Sequence, residues 1–177
     1  MLGTKELLEL VEKEDLVEDL CERERNNPEG GGFDLRVDEV FELKGDAHLG
    51  IEERHTPEIE SIAKEGKDDE IVLKPGEYFL VKTMEKVNLP EDIGAIFRPR
   101  STLQRCGVAL FTAAASPGYS GELTFGIVNL GDKEFRLELG ARIVHILFYK
   151  TGENVSEYRG QWNGGRVSTE GEKEVQV

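Results

Sequence analysis

A chain of 177 residues with a net charge of −14, 38% apolar and 33% charged residues reads as one soluble domain long enough to bury a core. No apolar run approaches the roughly 18 residues of a bilayer crossing, the N-terminus lacks a signal peptide's basic end and apolar centre, and the acidic balance argues against nucleic acid or membrane as a partner. Cys21 and Cys106 form no CxxC, which makes a reducing cytoplasm the default, and His48, His55 and His145 lack metal-ligand spacing, so no metal site is expected.

In chain order, Leu7, Leu10, Val11, Val17 and Leu20 recur at helical spacing behind a capping Thr4 and predict a helix over about 5–20. Residues 1–29 hold four basic and ten acidic residues, which reads as a solvated helix face. "NNPEGGG" (26–32) breaks it. Phe33, Leu35, Val37, Val40 and Phe41 then predict a strand with a slip or bulge near Asp38–Glu39. Residues 44–69 are polar and aperiodic, a surface insertion with a short helix around Ile59 to Lys64. "EIVLKPGEYFLVKT" reads as two strands around a Pro75-Gly76 turn. Further strands are expected at 93–98, 108–111, 122–129, 135–139 and 143–149. Many short strands with frequent turns indicate an all-β sandwich, jelly roll or barrel. One domain over 1–150 would then be followed by a mobile, Gly-rich tail over 151–177.

One segment breaks the charge pattern. From Ile93 to Gly121 there is no acid, although Asp and Glu make up 36 of the 177 residues and about six would be expected in that length. Within it, "IFRPRSTLQRCGV" (96–108) carries Arg98, Arg100 and Arg105. Guanidinium groups match phosphate oxygens in pairs, Ser101 and Thr102 add hydroxyl donors on a turn, and Arg98 and Arg100 point the same way on an extended chain. The pattern fits a bound anion; pairing of these arginines with surface acids is the plainer alternative.

These residues also resemble a known family. "RSTLQRCG" (100–107) is similar to the phosphate-binding motif shared by trimeric dUTPases and dCTP deaminases, Arg-Ser-Ser-Leu-x-Arg-x-Gly. "GGFDLRV" (31–37), "SPGYSGELTFGIVN" (116–129), "GARIVHILF" (140–148) and "YRGQWNGG" (158–165) resemble the first, third, fourth and C-terminal lid motifs, in the family's order. The resemblance implies a distorted β-barrel or jelly roll with an N-terminal helix, assembled as a homotrimer with sites between subunits. It implies a deoxynucleoside triphosphate ligand with Mg²⁺ on its phosphates. Carried over residue by residue, Arg100, Ser101, Thr102 and Arg105 would hold phosphates. Backbone groups of Ala113, Ala114 and Ala115 would read the pyrimidine edge, Tyr119 would pack on the sugar, and Trp162 would be the lid aromatic.

The chain departs from that family where the chemistry lies. The dUTPase carboxylate that activates water is Ser116 here, and a hydroxyl cannot act as that base. The deaminase glutamate is Gly126, and the fourth-motif glutamine is His145. Three readings stay open. The chain is a dUTP diphosphatase of the archaeal, dCTP deaminase-like type using another group, with Asp34, Glu122 or His145 as candidates. It is a catalytically inactive, nucleotide-binding regulator. Or it uses the scaffold for another phosphorylated ligand. dCTP deamination has the least support, because nothing visible replaces its glutamate.

Overall fold

The computed structural model describes residues 1–152 and 155–176; positions 153, 154 and 177 of the expected tail lie outside the described residues. In chain order the elements are α1 (Thr4–Glu14), β1 (Val17–Glu18), α2 (Glu22–Asn26), β2 (Gly32–Lys44), β3 (His48–Leu49), β4 (Glu53–His55), β5 (Glu58–Lys64), β6 (Glu70–Leu73) and β7 (Tyr78–Asn88). They continue with β8 (Ile93–Pro99), α3 (Ser101–Arg105), β9 (Val108–Phe111), β10 (Ala114–Ala115), β11 (Ser120–Asn129), β12 (Phe135–Glu138), β13 (Arg142–Lys150) and β14 (Glu174–Val175). The fold is mainly β: an antiparallel sheet in the order β10-β8-β13-β2-β7-β11-β9, curled into a distorted half-barrel, with β1 added to β7 and β5 to β2. Two small sheets, β12-β6 and β14-β4-β3, flank it among the described residues.

Alternation sets the inner face. Along β7, Phe79, Val81, Thr83, Glu85 and Val87 point inward and their neighbours are half-buried or exposed. Phe33, Leu35, Ile143, Ile146 and Phe148 complete this core, each worth about 1.5–3 kcal/mol on full burial. The two inward polar groups of β7 are matched. Thr83 Oγ1 donates to Glu85 O (2.7 Å) and accepts from Leu123 N (2.9 Å). The Glu85 carboxylate accepts from Arg36 N (2.7 Å) and Arg36 Nε (2.6 Å). The expected bulge near Asp38–Glu39 is present as a register shift between Val37 and Glu39 against β7.

Four local expectations are corrected. The first helix stops at Glu14, because Asp15 turns left-handed (φ 51°) and Leu16 and Val17 drop into the core, where Val17 pairs with Val87. Thr4 does not cap it; Gly3 holds that position and Thr4 Oγ1 donates to Gly30 O at 2.6 Å. Residues 59–64 form β5 and not a helix, since six ladder partners on β2 take up the backbone, from Lys44↔Glu58 to Glu39↔Lys64. The acidic N-terminal region is not wholly solvated either: Glu24 is fully buried.

The 44–69 insertion meets the tail. β4 pairs with β14, Thr56 and Thr169 exchange bonds (Thr56 N to Thr169 Oγ1 2.9 Å, Thr169 N to Thr56 Oγ1 2.8 Å), and Gln176 Nε2 donates to Gly50 O at 2.6 Å.

Candidate functional site

Two groups of side chains occupy different parts of the sheet. The first is polar and gathers on Asp34. His145 is the register partner of both Asp34 and Arg98, so all three share one face of β2, β13 and β8. Asp34 is buried, and its carboxylate accepts from Arg100, from Arg142 Nη1 (2.9 Å) and from His145 Nδ1 (2.8 Å). Asp34 N donates to Glu24 Oε2 at 3.0 Å, and Glu24 in turn pairs with Arg23. Burial lowers the His145 imidazole below its ordinary value, and Arg100 adds to this while Glu24 opposes it. A neutral ring facing a carboxylate carries its proton on Nδ1, so Nε2 is left as acceptor. Burial also pulls Arg100 below its ordinary value, with repulsion from Arg142 second. Asp34 is thus enclosed by two guanidinium groups and the His145 ring, with its oxygens already taken up by these contacts.

The other phosphate candidates face outward. Ser101, Thr102 and Arg105 are exposed on α3; Arg105 Nη1 donates to Ser101 O at 3.1 Å and has no acidic partner among the described residues. Within this chain, therefore, Arg100 meets an interior acid, and none of Arg100, Ser101, Thr102 and Arg105 lines the cavity described next.

That cavity, of about 390 Å³, brings together the residues expected to handle base, sugar and lid: Ala113, Ala114, Ala115, Tyr119 and Trp162. β10 sets the alanines beside β8, with Ala114 opposite Ile96 and Ala115 opposite Ala95. Tyr119 stands edge-on to Tyr158 (5.3 Å, 82°), and its hydroxyl donates to Glu122 O at 2.6 Å. The tail crosses above. Tyr158 N donates to Pro117 O (2.7 Å) and Gly164 N to Ser120 O (2.7 Å). Gly121 makes room for this crossing: at φ 146° it has no side chain, and a Cβ there would collide with the backbone of Gly164 and Gly165. Trp162 lies between Arg54 of the insertion (4.7 Å from the ring centre) and Arg166 (5.9 Å).

The departures have visible consequences. Ser116 is exposed on the turn between β10 and β11, and no carboxylate is among the described residues lining the cavity. Gly126 is covered by Tyr78: a Cβ at 126 would strike the Tyr78 hydroxyl and come within 2.9 Å of its ring carbons. The Glu122 side chain approaches Gly165 of the tail and does not line the cavity. Sequence reasoning missed Tyr78, Thr124, Tyr158 and Arg166 in the cavity wall, and Arg142 and Glu24 in the polar cluster. Arg142 sits inside the recognised fourth motif and could have been found there. Glu24 had no signal, since an acid in an acidic helix looks solvated.

Tyr119 gives a pH test. Burial pushes its phenol up to about 12, with Tyr158 and Glu122 adding to the rise. An unfolded tyrosine titrates near 10, so the folded value is raised; the associated stability is full below about pH 10 and is lost as pH climbs through 12. Two pH units correspond to about 2–3 kcal/mol. Tyr119→Phe is expected to flatten the fall of Tm between pH 10 and 12. A fall as steep as the parent's would assign it to other groups.

The comparisons with known proteins agree with this architecture. A model of the dCTP deaminase-like family matches residues 1–151. The chain is 32% identical over 171 residues to a probable deoxyuridine 5′-triphosphate nucleotidohydrolase of Archaeoglobus fulgidus, covering 96% of this chain and 99% of that protein. It is 32% identical over 155 residues to a dCTP deaminase of Pyrococcus furiosus, covering 87% and 88%. In structure it resembles the 2′-deoxycytidine 5′-triphosphate deaminase of Agrobacterium tumefaciens (TM-score 0.65, 17% identity, 85% of this chain and 47% of that one). It also resembles a mutant dUTPase from phage phi11 of S. aureus (TM-score 0.51, 16% identity, 81% and 97%). By the match over residues 1–151 and the order of its motifs, the chain belongs to the dCTP deaminase-like family of nucleotide enzymes, together with dUTPase-named relatives.

Proposed function

We propose that this chain binds a pyrimidine deoxynucleoside triphosphate and hydrolyses dUTP to dUMP and pyrophosphate. The observation that carries the reading is the cavity itself: small alanines, an edge-on tyrosine pair and a Trp-bearing tail around a space of about 390 Å³, which suits a flat base and a sugar. The phosphates would run to Arg100, Ser101, Thr102 and Arg105 of a neighbouring subunit in a homotrimer. The acid-free run supports that assembly. It includes the exposed apolar side chains Ile96 and Phe111 and no acid, so in a chain of net charge −14 it is the stretch that least repels a second copy. No cluster of three or more metal-ligating side chains occurs among the described residues, so Mg²⁺ would arrive bound to the triphosphate oxygens. In the reaction, water attacks the α-phosphorus in line, its proton passes to solvent and pyrophosphate leaves, with the arginines stabilising the charge that develops.

One observation favours a second reading, nucleotide binding without turnover: Ser116 occupies the position of the water-activating carboxylate, and no described acid lines the cavity. Deamination is disfavoured by Gly126 under Tyr78. Incubation with Mg²⁺ and dUTP or dCTP, following pyrophosphate and ammonia, separates these. Pyrophosphate without ammonia is the expected result. Neither product, with micromolar dUTP binding by calorimetry, establishes the non-catalytic reading. Absence of both binding and turnover overturns the nucleotide assignment.

A further inference from the structure

We propose that the hydroxyls of Thr124 and Tyr78 form the polar end of the cavity and donate to a carbonyl oxygen on the bound base, which makes a 4-oxopyrimidine preferred over a 4-aminopyrimidine. The inference rests on the nucleotide reading above and adds to it the groups that separate uracil from cytosine.

Thr124 Oγ1 is buried and has no hydrogen-bond partner among the described residues, while Thr124 lines the cavity. An unpaired buried hydroxyl is costly and calls for an explanation. Thr124 sits at a local irregularity: β11 slips register against β7 between Glu122 and Thr124. Two residues along, on the same face of β11, Gly126 leaves a gap that the Tyr78 phenol fills from β7. The Tyr78 ring leans on Phe111 (6.3 Å, 36°) and also lines the cavity. Burial pushes the Tyr78 phenol above its ordinary value, so it stays protonated at neutral pH.

The inventory then selects the ligand edge. Thr124 brings a proton with no acceptor of its own, Tyr78 brings a second, and no described carboxylate lines the wall to receive an amine's protons. A carbonyl oxygen has two lone pairs for two such donors. A 4-amino group offers two donors where acceptors are scarce. Hydroxyls rotate and can also accept, so the expected preference is about tenfold, the worth of roughly one net hydrogen bond.

The test uses the full-length protein and its Thr124→Val and Tyr78→Phe variants. Binding of Mg-dUTP and Mg-dCTP is followed by calorimetry, and Tm is measured without ligand. Thr124→Val is expected to weaken dUTP about tenfold and yet raise the ligand-free Tm by a few degrees, because it removes an unsatisfied polar atom at constant shape. A merely structural hydroxyl would instead lower Tm. Tyr78→Phe keeps the ring over Gly126 and is expected to bring the uracil-to-cytosine preference close to one. Unchanged dUTP affinity in both variants, a lowered Tm in Thr124→Val, or equal losses for both nucleotides overturns the assignment while leaving the nucleotide reading intact. If the parent protein binds neither nucleotide, the broader reading fails and this one with it.

Discussion

Arg100→Ala is expected to lower affinity for Mg-dUTP at least a hundredfold while the protein stays folded. A guanidinium gripping phosphate oxygens makes two charge-assisted hydrogen bonds of about 1.5–3 kcal/mol each, and tenfold in affinity is about 1.4 kcal/mol. In the ligand-free chain Arg100 is already engaged with Asp34, so a phosphate must compete with a buried carboxylate. The competition is tolerable because Asp34 keeps Arg142 at 2.9 Å and His145 at 2.8 Å when Arg100 turns away or is deleted. The same two contacts are why the variant should fold. Loss of Arg100 also removes a cation that depresses His145, whose pKa should move back up in the variant. Calorimetric titration and thermal unfolding, run in parallel, decide it. An unchanged dUTP affinity in a folded Arg100→Ala protein removes the phosphate assignment. Arg105→Ala guards against a stability artefact, since Arg105 is exposed and its side chain hydrogen-bonds, among the described residues, to the Ser101 carbonyl alone; it should weaken dUTP binding with no shift in Tm.

Strand positions were largely legible because β7, β8, β11 and β13 alternate between a core face and an outer face, and that period survives in the sequence. The helix end at Glu14 was not. Leu16, Val17 and Leu20 continue a helical spacing, yet their burial comes from β1 pairing with β7, some 70 residues away. The 59–64 strand was hidden for a similar reason: Glu58, Glu60 and Ser61 face water, so the segment lacks a strong apolar period and only its partner β2 makes it a strand. In the site, the small-residue and aromatic motifs contribute Ala113, Ala114, Ala115, Tyr119 and Trp162 to one wall of the cavity. Its other wall comes from Thr56 and Pro57 of the insertion and Tyr78 and Thr124 of the sheet, which no local pattern joins. The buried acids were the least legible of all. Glu24 and Glu85 look like any of the 36 acids in this chain, and only their partners, Arg23, Arg142 and Arg36, distinguish them, whereas Asp34 stood out by its place in the first motif.

Ser116→Asp is expected to raise dUTP hydrolysis by at least tenfold. A well-placed general base typically contributes about 10²–10⁴, and the lower figure allows for a side chain with no packing to orient it. The position tolerates the change: Ser116 is exposed, and its role in the fold is through its carbonyl, which accepts from Tyr119 N at 3.2 Å. The gain should follow the ionised carboxylate and fall away below about pH 4. Ser116→Asn, matched in shape but unable to take a proton at neutral pH, should show no gain; an equal gain from Asn would mean that polarity or geometry, and not proton transfer, raised the rate. No change with Asp would mean that residue 116 does not face the attacking water. The two departures from the family differ in how readily they revert. Restoring the carboxylate at 116 asks only for space that is already solvent. Restoring a glutamate at 126 requires Tyr78 to leave the wall, because its hydroxyl stands where the new Cβ would go. A single substitution can therefore add a carboxylate base for hydrolysis, whereas a deaminase glutamate at 126 also requires a change at Tyr78.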